Sequence, residues 1–228
     1  MIPLSDDLRA ERFPIAGLAI AVICCTVFIW QLILGEAGYN LFVGSYGFTP
    51  AGLFGGHHPP GAAAVPPAAR LVTYQFLHGD SWHLLGNMMF LWVFADKVED
   101  ALGHARYVVF YLMCGICAAL GETWAGPQSS ALMIGASGAV SGVLGAYLVL
   151  HPKAEVSFAV PILIVVQIVR LPAWLVLLSW FGMQIMYDLD PAGSTNIAFT
   201  AHISGFIAGI LLAVVFVRGV TGRISGHI

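Results

Sequence analysis

The chain has 228 residues, and its nine Lys or Arg and twelve Asp or Glu make 21 charged side chains, or 9%. An average soluble domain carries about 25%. Hydrophobic residues are 59% of the sequence, which excludes a disordered chain and a soluble globule. The net charge is −3 and no basic stripe is present to meet phosphates, so nucleic-acid binding is excluded as well. This composition is typical of a polytopic helical membrane protein.

The first uncharged run, residues 15–34, is 20 residues long. It exceeds the roughly 7 to 15 residues of a signal-peptide core and is not followed by a small-residue cleavage site. We therefore predict that it is a retained membrane span.

The remaining charges divide the chain into further spans, because a charged side chain at the centre of a span costs about 2.5 to 3.5 kcal/mol. Residues 156–169 form a shorter uncharged run that contains Pro161, and we expect an interfacial or re-entrant segment there. The resulting prediction is an all-α protein with six spans in the uncharged runs 15–34, 81–95, 107–121, 123–152, 171–187 and 191–217.

The basic residues orient these spans. With the amino terminus inside, eight of the nine Lys and Arg residues lie on the cytoplasmic side and only Arg70 lies on the other. We therefore expect a cytoplasmic segment over residues 1–12, a six-span domain over 13–218 and a cytoplasmic tail over 219–228. The same bias favours a multi-pass protein of a bacterial inner membrane with both termini in the cytoplasm.

The first external loop, residues 35–80, has no charge between Glu36 and Arg70. Since irregular backbone cannot lie bare in lipid, we expect the loop to fold on itself at the outer membrane surface. His57 and His58 are adjacent in this loop and lack a third ligand nearby, so we predict no metal site and no cofactor.

The spans contain a short set of polar residues, which is where function is expected in a membrane protein. The second, fourth and sixth spans share one direction, and His83, Ser137 and His202 each lie a few residues from the outer end. Three side chains at one depth on parallel helices can converge. The set comprises His83 and Asn87, Ser137 and Ser141, Gln184, and His202 and Ser204.

Small residues support that convergence. Gly138, Gly142 and Gly145 share a face of the fourth span, and Gly205 and Gly209 share the face of His202. Such seams let two helices approach closely, so we predict that the fourth and sixth spans pack together.

A Ser–His pair at this depth suits nucleophilic catalysis. A neutral imidazole can take the proton of a serine hydroxyl. Neither the fourth nor the sixth span holds a carboxylate to orient the imidazole, so we predict that Ser137 and His202 form a catalytic dyad rather than part of a triad. His83 and Asn87 lie at i and i+4 on one helical face, where both can donate hydrogen bonds to an oxyanion together with the Ser137 amide.

These residues resemble the motifs of rhomboid intramembrane serine proteases. Residues 135–138 (GASG) resemble the GxSG motif, residues 83–87 (HLLGN) match HxxxN, and residues 201–205 (AHISG) look like the histidine motif of the last helix. The similarity extends from about His78 to Gly209, and the three motifs follow the family order. The resemblance implies a six-helix rhomboid-like bundle with a long interfacial first external loop.

The resemblance also implies roles. Ser137 would be the nucleophile, His202 the general base, His83 and Asn87 the oxyanion donors, and Gly135 would leave room for the scissile backbone. The expected substrates are transmembrane proteins in the lipid bilayer, cut in or next to their spans. Two features depart from some members: Ser141 stands where they carry an aromatic residue that supports the histidine, and Arg70 follows Ala69 rather than Trp.

Two alternatives remain. A non-catalytic rhomboid-like protein would bind transmembrane clients without cutting them, but this chain retains both Ser137 and His202. A small proton-linked transporter or channel would need an acidic partner for its histidines within the spans, and these runs hold none.

Overall fold

The computed structural model describes residues 2–54, 65–162, 165–189 and 198–224. Helices dominate, and three short strands, one of them at the amino terminus, form a small sheet. The helices are α1 (Ile15–Ile33), α2 (Gly35–Tyr46), α3 (Pro50–Leu53), α4 (Pro67–Thr73), α5 (Ser81–Leu102), α6 (His104–Ala125), α7 (Ser137–Leu150), α8 (Ala173–Asp188) and α9 (Phe199–Ile224). A 3₁₀ turn spans Tyr74–Phe76, and the strands are β1 (Ile2–Asp6), β2 (Glu155–Ile162) and β3 (Val165–Pro172).

Each of the six uncharged runs overlaps one of the longer helices, namely α1, α5, α6, α7, α8 and α9. Within the described residues, three helical stretches are long and apolar enough to cross a membrane: Ile15–Ile33, His104–Ala125 and Phe199–Val217. Helix α7 is apolar but shorter, at 14 residues. The count of six spans therefore stays a prediction.

The expectation of an all-α fold needs one correction, because β1, β2 and β3 form a three-stranded antiparallel sheet. Residues 156–169, expected as an interfacial or re-entrant segment, supply most of β2 and β3. The physical reason is an alternation with period two: Val156 and Phe158 are buried while Glu155 is exposed. Strand β1 then pairs with β2, with Asp6 opposite Val156.

A buried ion pair ties β1 to the helices. The Lys97 ammonium on α5 lies 3.0 Å from an Asp6 carboxylate oxygen and 2.7 Å from one of Asp96. The hydroxyl of Tyr147 on α7 donates to the other Asp6 oxygen. Since the side chains of Lys97 and Asp6 are almost fully buried, each charge depends on the other for stabilisation.

The first loop folds on itself through α2, α3, α4 and the 3₁₀ turn. Phe48 and Met133 exchange backbone hydrogen bonds of 3.0 and 2.7 Å, which join the loop to the segment before α7. Arg70 is buried, and its guanidinium donates to the carbonyls of Gly44 and Val65. The position of the loop at the membrane surface stays a prediction, and His57 and His58 lie outside the described residues.

Helices α7 and α9 pack through their glycines, as the small-residue pattern predicts. A Cβ atom built on Gly209 would lie 2.6 Å from both the carbonyl carbon and the Cα atom of Gly142. One built on Gly205 would lie 3.0 Å from the carbonyl carbon of Gly138. The two backbones are therefore in direct contact, with no room for a side chain between them.

Candidate active site

Ser137 and His202 meet where α7 and α9 begin. Ser137 is the first residue of α7, and His202 is the fourth residue of α9. The Ser137 hydroxyl oxygen lies 2.9 Å from Nε2 of His202, which is hydrogen-bond distance. The glycine contacts between the two helices hold their backbones close enough for this approach.

The turn before α7 aims Ser137 into the site. Gly135 has a φ of +126°, a conformation that residues with a Cβ rarely adopt, and its amide donates to the Tyr74 carbonyl at 2.9 Å. The chain therefore changes direction immediately before the helix. At the first turn of α7 the backbone N–H groups have no acceptor within the helix, so the Ser137 amide can serve an incoming oxygen.

His83 and Asn87 lie on one face of α5. The Asp80 carboxylate caps this helix by accepting from the amides of Trp82 and His83 at 2.8 and 2.9 Å, which fixes where the His83 side chain starts. The Asn87 side-chain amide donates to the His83 carbonyl at 3.0 Å and keeps a second N–H.

One cavity of about 250 Å³ brings four of the five predicted residues together. Its wall includes His83, Asn87, Ser137 and His202, along with the apolar side chains of Trp82, Phe90, Val140, Leu144 and Trp180. Most of the lining is apolar, so the polar groups on the wall are few. This arrangement suits a peptide bond held in an apolar environment.

Gly135, the fifth predicted residue, makes a different contact from the one that the resemblance implies. A Cβ atom on Gly135 would lie 2.6 Å from Cε1 and 2.7 Å from Nε2 of His83. The space that this glycine leaves is therefore occupied by the His83 ring. Its role in making room for a scissile backbone stays a prediction.

Sequence reasoning assigned no role to Gln184, although it was one of the polar residues of the fifth span. Its side-chain oxygen lies 2.9 Å from Nδ1 of His202. Gln184 is buried on α8, and Trp180, one turn earlier, places its ring 6.3 Å from the His202 ring. The i, i+4 spacing of Trp180 and Gln184 indicates that they share one face of α8. The sequence does not indicate that this face is turned toward α9.

The Ser141 hydroxyl is hydrogen-bonded to its own helix rather than to the histidine. It donates to the Ser137 carbonyl at 2.6 Å, the common arrangement of a serine within a helix. Among the residues that the structure describes, no three His, Cys, Asp or Glu side chains are grouped as a metal ion would require.

Comparison with known proteins decides the family. The profile of the Rhomboid domain matches residues 67–219, about two thirds of the sequence. The chain belongs to the rhomboid family. Because this rhomboid protein also has helices apolar enough to cross a bilayer, it is an integral membrane protein. The match neither tests nor contradicts the predicted boundaries at 1–12, 13–218 and 219–228.

Three relatives illustrate the similarity. The candidate rhomboid protease YdcA of Bacillus subtilis is 32% identical over 160 residues, covering 65% of this chain and 67% of the relative. Rhomboid protein 1, mitochondrial, of Saccharomyces cerevisiae is 33% identical over 152 residues, covering 64% and 41%. Rhomboid protease GlpG of Yersinia pestis is 25% identical over 208 residues, covering 91% and 64%. The matched region thus spans between 41% and 67% of the length of these relatives.

Proposed function

We propose that this rhomboid protein is an intramembrane serine endopeptidase that hydrolyses peptide bonds in or next to transmembrane segments of its substrates. One observation carries the proposal: the Ser137 hydroxyl lies 2.9 Å from His202 Nε2 on the wall of a cavity that His83 and Asn87 share. The names of the relatives YdcA and GlpG, which include rhomboid protease, support it.

In the proposed reaction, His202 Nε2 takes the Ser137 proton as the serine oxygen bonds to the substrate carbonyl carbon. The carbonyl electron pair moves to oxygen and forms an oxyanion. When the tetrahedral intermediate collapses, the C–N bond breaks and the leaving amine takes the proton from His202. Water then attacks the carbonyl carbon of the acyl-enzyme while His202 takes its proton, and His202 returns that proton to the Ser137 oxygen as the ester bond breaks.

The oxyanion would be held by His83, Asn87 and the Ser137 amide. Each can donate a hydrogen bond, and a lost oxyanion donor costs about 100- to 1000-fold in rate. Because the lining of the cavity is mainly apolar, these hydrogen bonds would be stronger than they are in water.

Labelling with a serine-directed fluorophosphonate tests the proposal directly, combined with cleavage of a transmembrane reporter. We expect labelling and cleavage in wild type and neither in Ser137→Ala or His202→Ala, with reduced cleavage in His83→Ala and Asn87→Ala. Ser204→Ala on α9 is a matched control, since Ser204 does not line the cavity, and it should retain both. Labelling of Ser137→Ala at the wild-type rate would refute the assignment of Ser137 as the nucleophile. An unlabelled wild type would favour a non-catalytic protein that binds transmembrane clients.

We further propose six spans with both termini in the cytoplasm of a bacterial inner membrane. The support is the distribution of charge, with eight of nine basic residues on one side. Reporter fusions at the two termini test the orientation: both should be active as cytoplasmic fusions, and an active periplasmic reporter at either terminus would contradict it.

A further inference from the structure

We propose that Gln184 is a positioning residue that holds the His202 imidazole in the tautomer and orientation needed to accept the Ser137 proton. The inference rests on the proposed function, since it assigns a role within the same site. It begins with two equal distances: His202 Nδ1 lies 2.9 Å from Gln184 Oε1, and Nε2 lies 2.9 Å from Ser137 Oγ. Both ring nitrogens are therefore engaged, on opposite edges of the ring.

The chemistry of the amide oxygen selects one tautomer. A carbonyl oxygen only accepts hydrogen bonds, so Nδ1 must carry the proton that it donates to Gln184. In a neutral imidazole Nε2 is then the unprotonated nitrogen, which is the state that accepts a proton from serine. The other tautomer would place a proton between Nε2 and Ser137 and would leave the Gln184 oxygen facing a lone pair.

The surroundings strengthen this selection. Gln184 is only 7% exposed, so water cannot readily replace His202 as its partner. A carboxylate at this position would also accept from Nδ1, but burying its charge in a membrane helix is costly, whereas an amide offers the same oxygen without charge. The neutral glutamine thus supplies the orienting contact that a carboxylate provides in a soluble triad.

Helix α8 also supports the flat side of the ring. Trp180, at i−4 from Gln184, inclines its ring by 32° to the His202 ring at a centroid distance of 6.3 Å. Phe199 on α9 meets the ring edge to face at 6.2 Å. Ser141, by contrast, is bonded to the Ser137 carbonyl. In this chain the His202 ring is therefore supported by Trp180 and Gln184 on α8 and by Phe199 on α9, although position 141 carries no aromatic residue.

The test compares Gln184→Met with wild type in the full-length protein. Methionine matches glutamine in length and lacks the acceptor oxygen. General base catalysis contributes about 100- to 10,000-fold, and the imidazole keeps part of its effect without an orienting group. We expect kcat for a transmembrane reporter to fall about 10- to 100-fold while KM stays within about twofold, with a parallel fall in the rate of fluorophosphonate labelling.

Two further variants keep the test decisive. Gln184→Asn retains the amide but is one methylene shorter and cannot reach Nδ1, so we expect the same fall in kcat as in Gln184→Met. This second variant keeps the test valid if Gln184→Met fails to fold. Met186→Leu, on the exposed face of α8, should behave as wild type. Unchanged kcat in both Gln184 variants, or a rise in KM alone, overturns the positioning role. A wild type that neither cleaves nor labels refutes the proposed function instead.

Discussion

Because the α7 and α9 backbones are in direct contact, we predict that Gly209→Ala forces the two helices apart. The added Cβ would lie 2.6 Å from two backbone atoms of Gly142 and closer still to its carbonyl oxygen. Ordinary van der Waals contact begins at 3.4 Å, so the helices must separate by about 0.8 Å or more. Applied to the 2.9 Å between Ser137 Oγ and His202 Nε2, that displacement lengthens the distance to about 3.7 Å, beyond a hydrogen bond.

We therefore expect Gly209→Ala to lower reporter cleavage and fluorophosphonate labelling at least 10-fold, although Gly209 lies two helical turns from His202. Overpacking of this kind also destabilises by about 1 to 3 kcal/mol, which thermal unfolding in detergent measures. Gly182→Ala on α8 is the matched control, because a Cβ there meets nothing within 4 Å. If Gly209→Ala labels at the wild-type rate with an unchanged midpoint of unfolding, the backbone seam does not set the spacing of the dyad.

Two further predictions concern stability. Lys97→Met leaves the Asp6 and Asp96 carboxylates without their cation, so we expect a loss of about 3 to 5 kcal/mol in thermal unfolding; an equal effect from the exposed Lys153→Met would contradict this. Burial and the neighbouring His83 lower the pKa of His78 to about 4, against a partly opposing Asp80. As the pH falls, His78 is therefore protonated in the unfolded chain before it is protonated in the folded protein. Acidification from pH 6.5 to 4 should lower the free energy of unfolding by about 3 kcal/mol. His78→Phe should reduce this dependence of the free energy of unfolding on pH, and an unchanged dependence in the variant would refute the role of His78.

The helices could be located from the charges, but their ends could not. Within the uncharged run 123–152, α6 ends at Ala125 and the next helix begins only at Ser137, because Gly126, Pro127 and Gly135 interrupt the segment between them. Hydrophobicity marks a segment as apolar without distinguishing a helix from an apolar loop.

The sheet could not be predicted from charge at all. The alternation of Val156 and Phe158 is a local signal for β2. The pairing of Asp6 with Val156, however, joins residues 150 positions apart, and nothing in either segment specifies its partner. Long-range strand pairing depends on the packed bundle, which brings Lys97 and Tyr147 to Asp6.

The candidate site was easier to anticipate, because the predicted topology places its residues on helices of one direction at one depth. That argument brought His83, Asn87, Ser137 and His202 to one place, and all four line the same cavity. It gave no information on how each helix is rotated about its own axis. The contact of Gln184 with His202 depends on that rotation, which is set by packing of α8 rather than by charge.

The glycine seam between α7 and α9 has a consequence for how this protein tolerates change. Where backbone meets backbone, the separation of two helices is set by the size of the peptide group, which is the same in every sequence. Side chains elsewhere in the bundle can differ in volume, and the surrounding lipid can differ in thickness, without altering that dimension. The distance between Ser137 and His202 therefore does not depend on most of the side chains that surround the two helices.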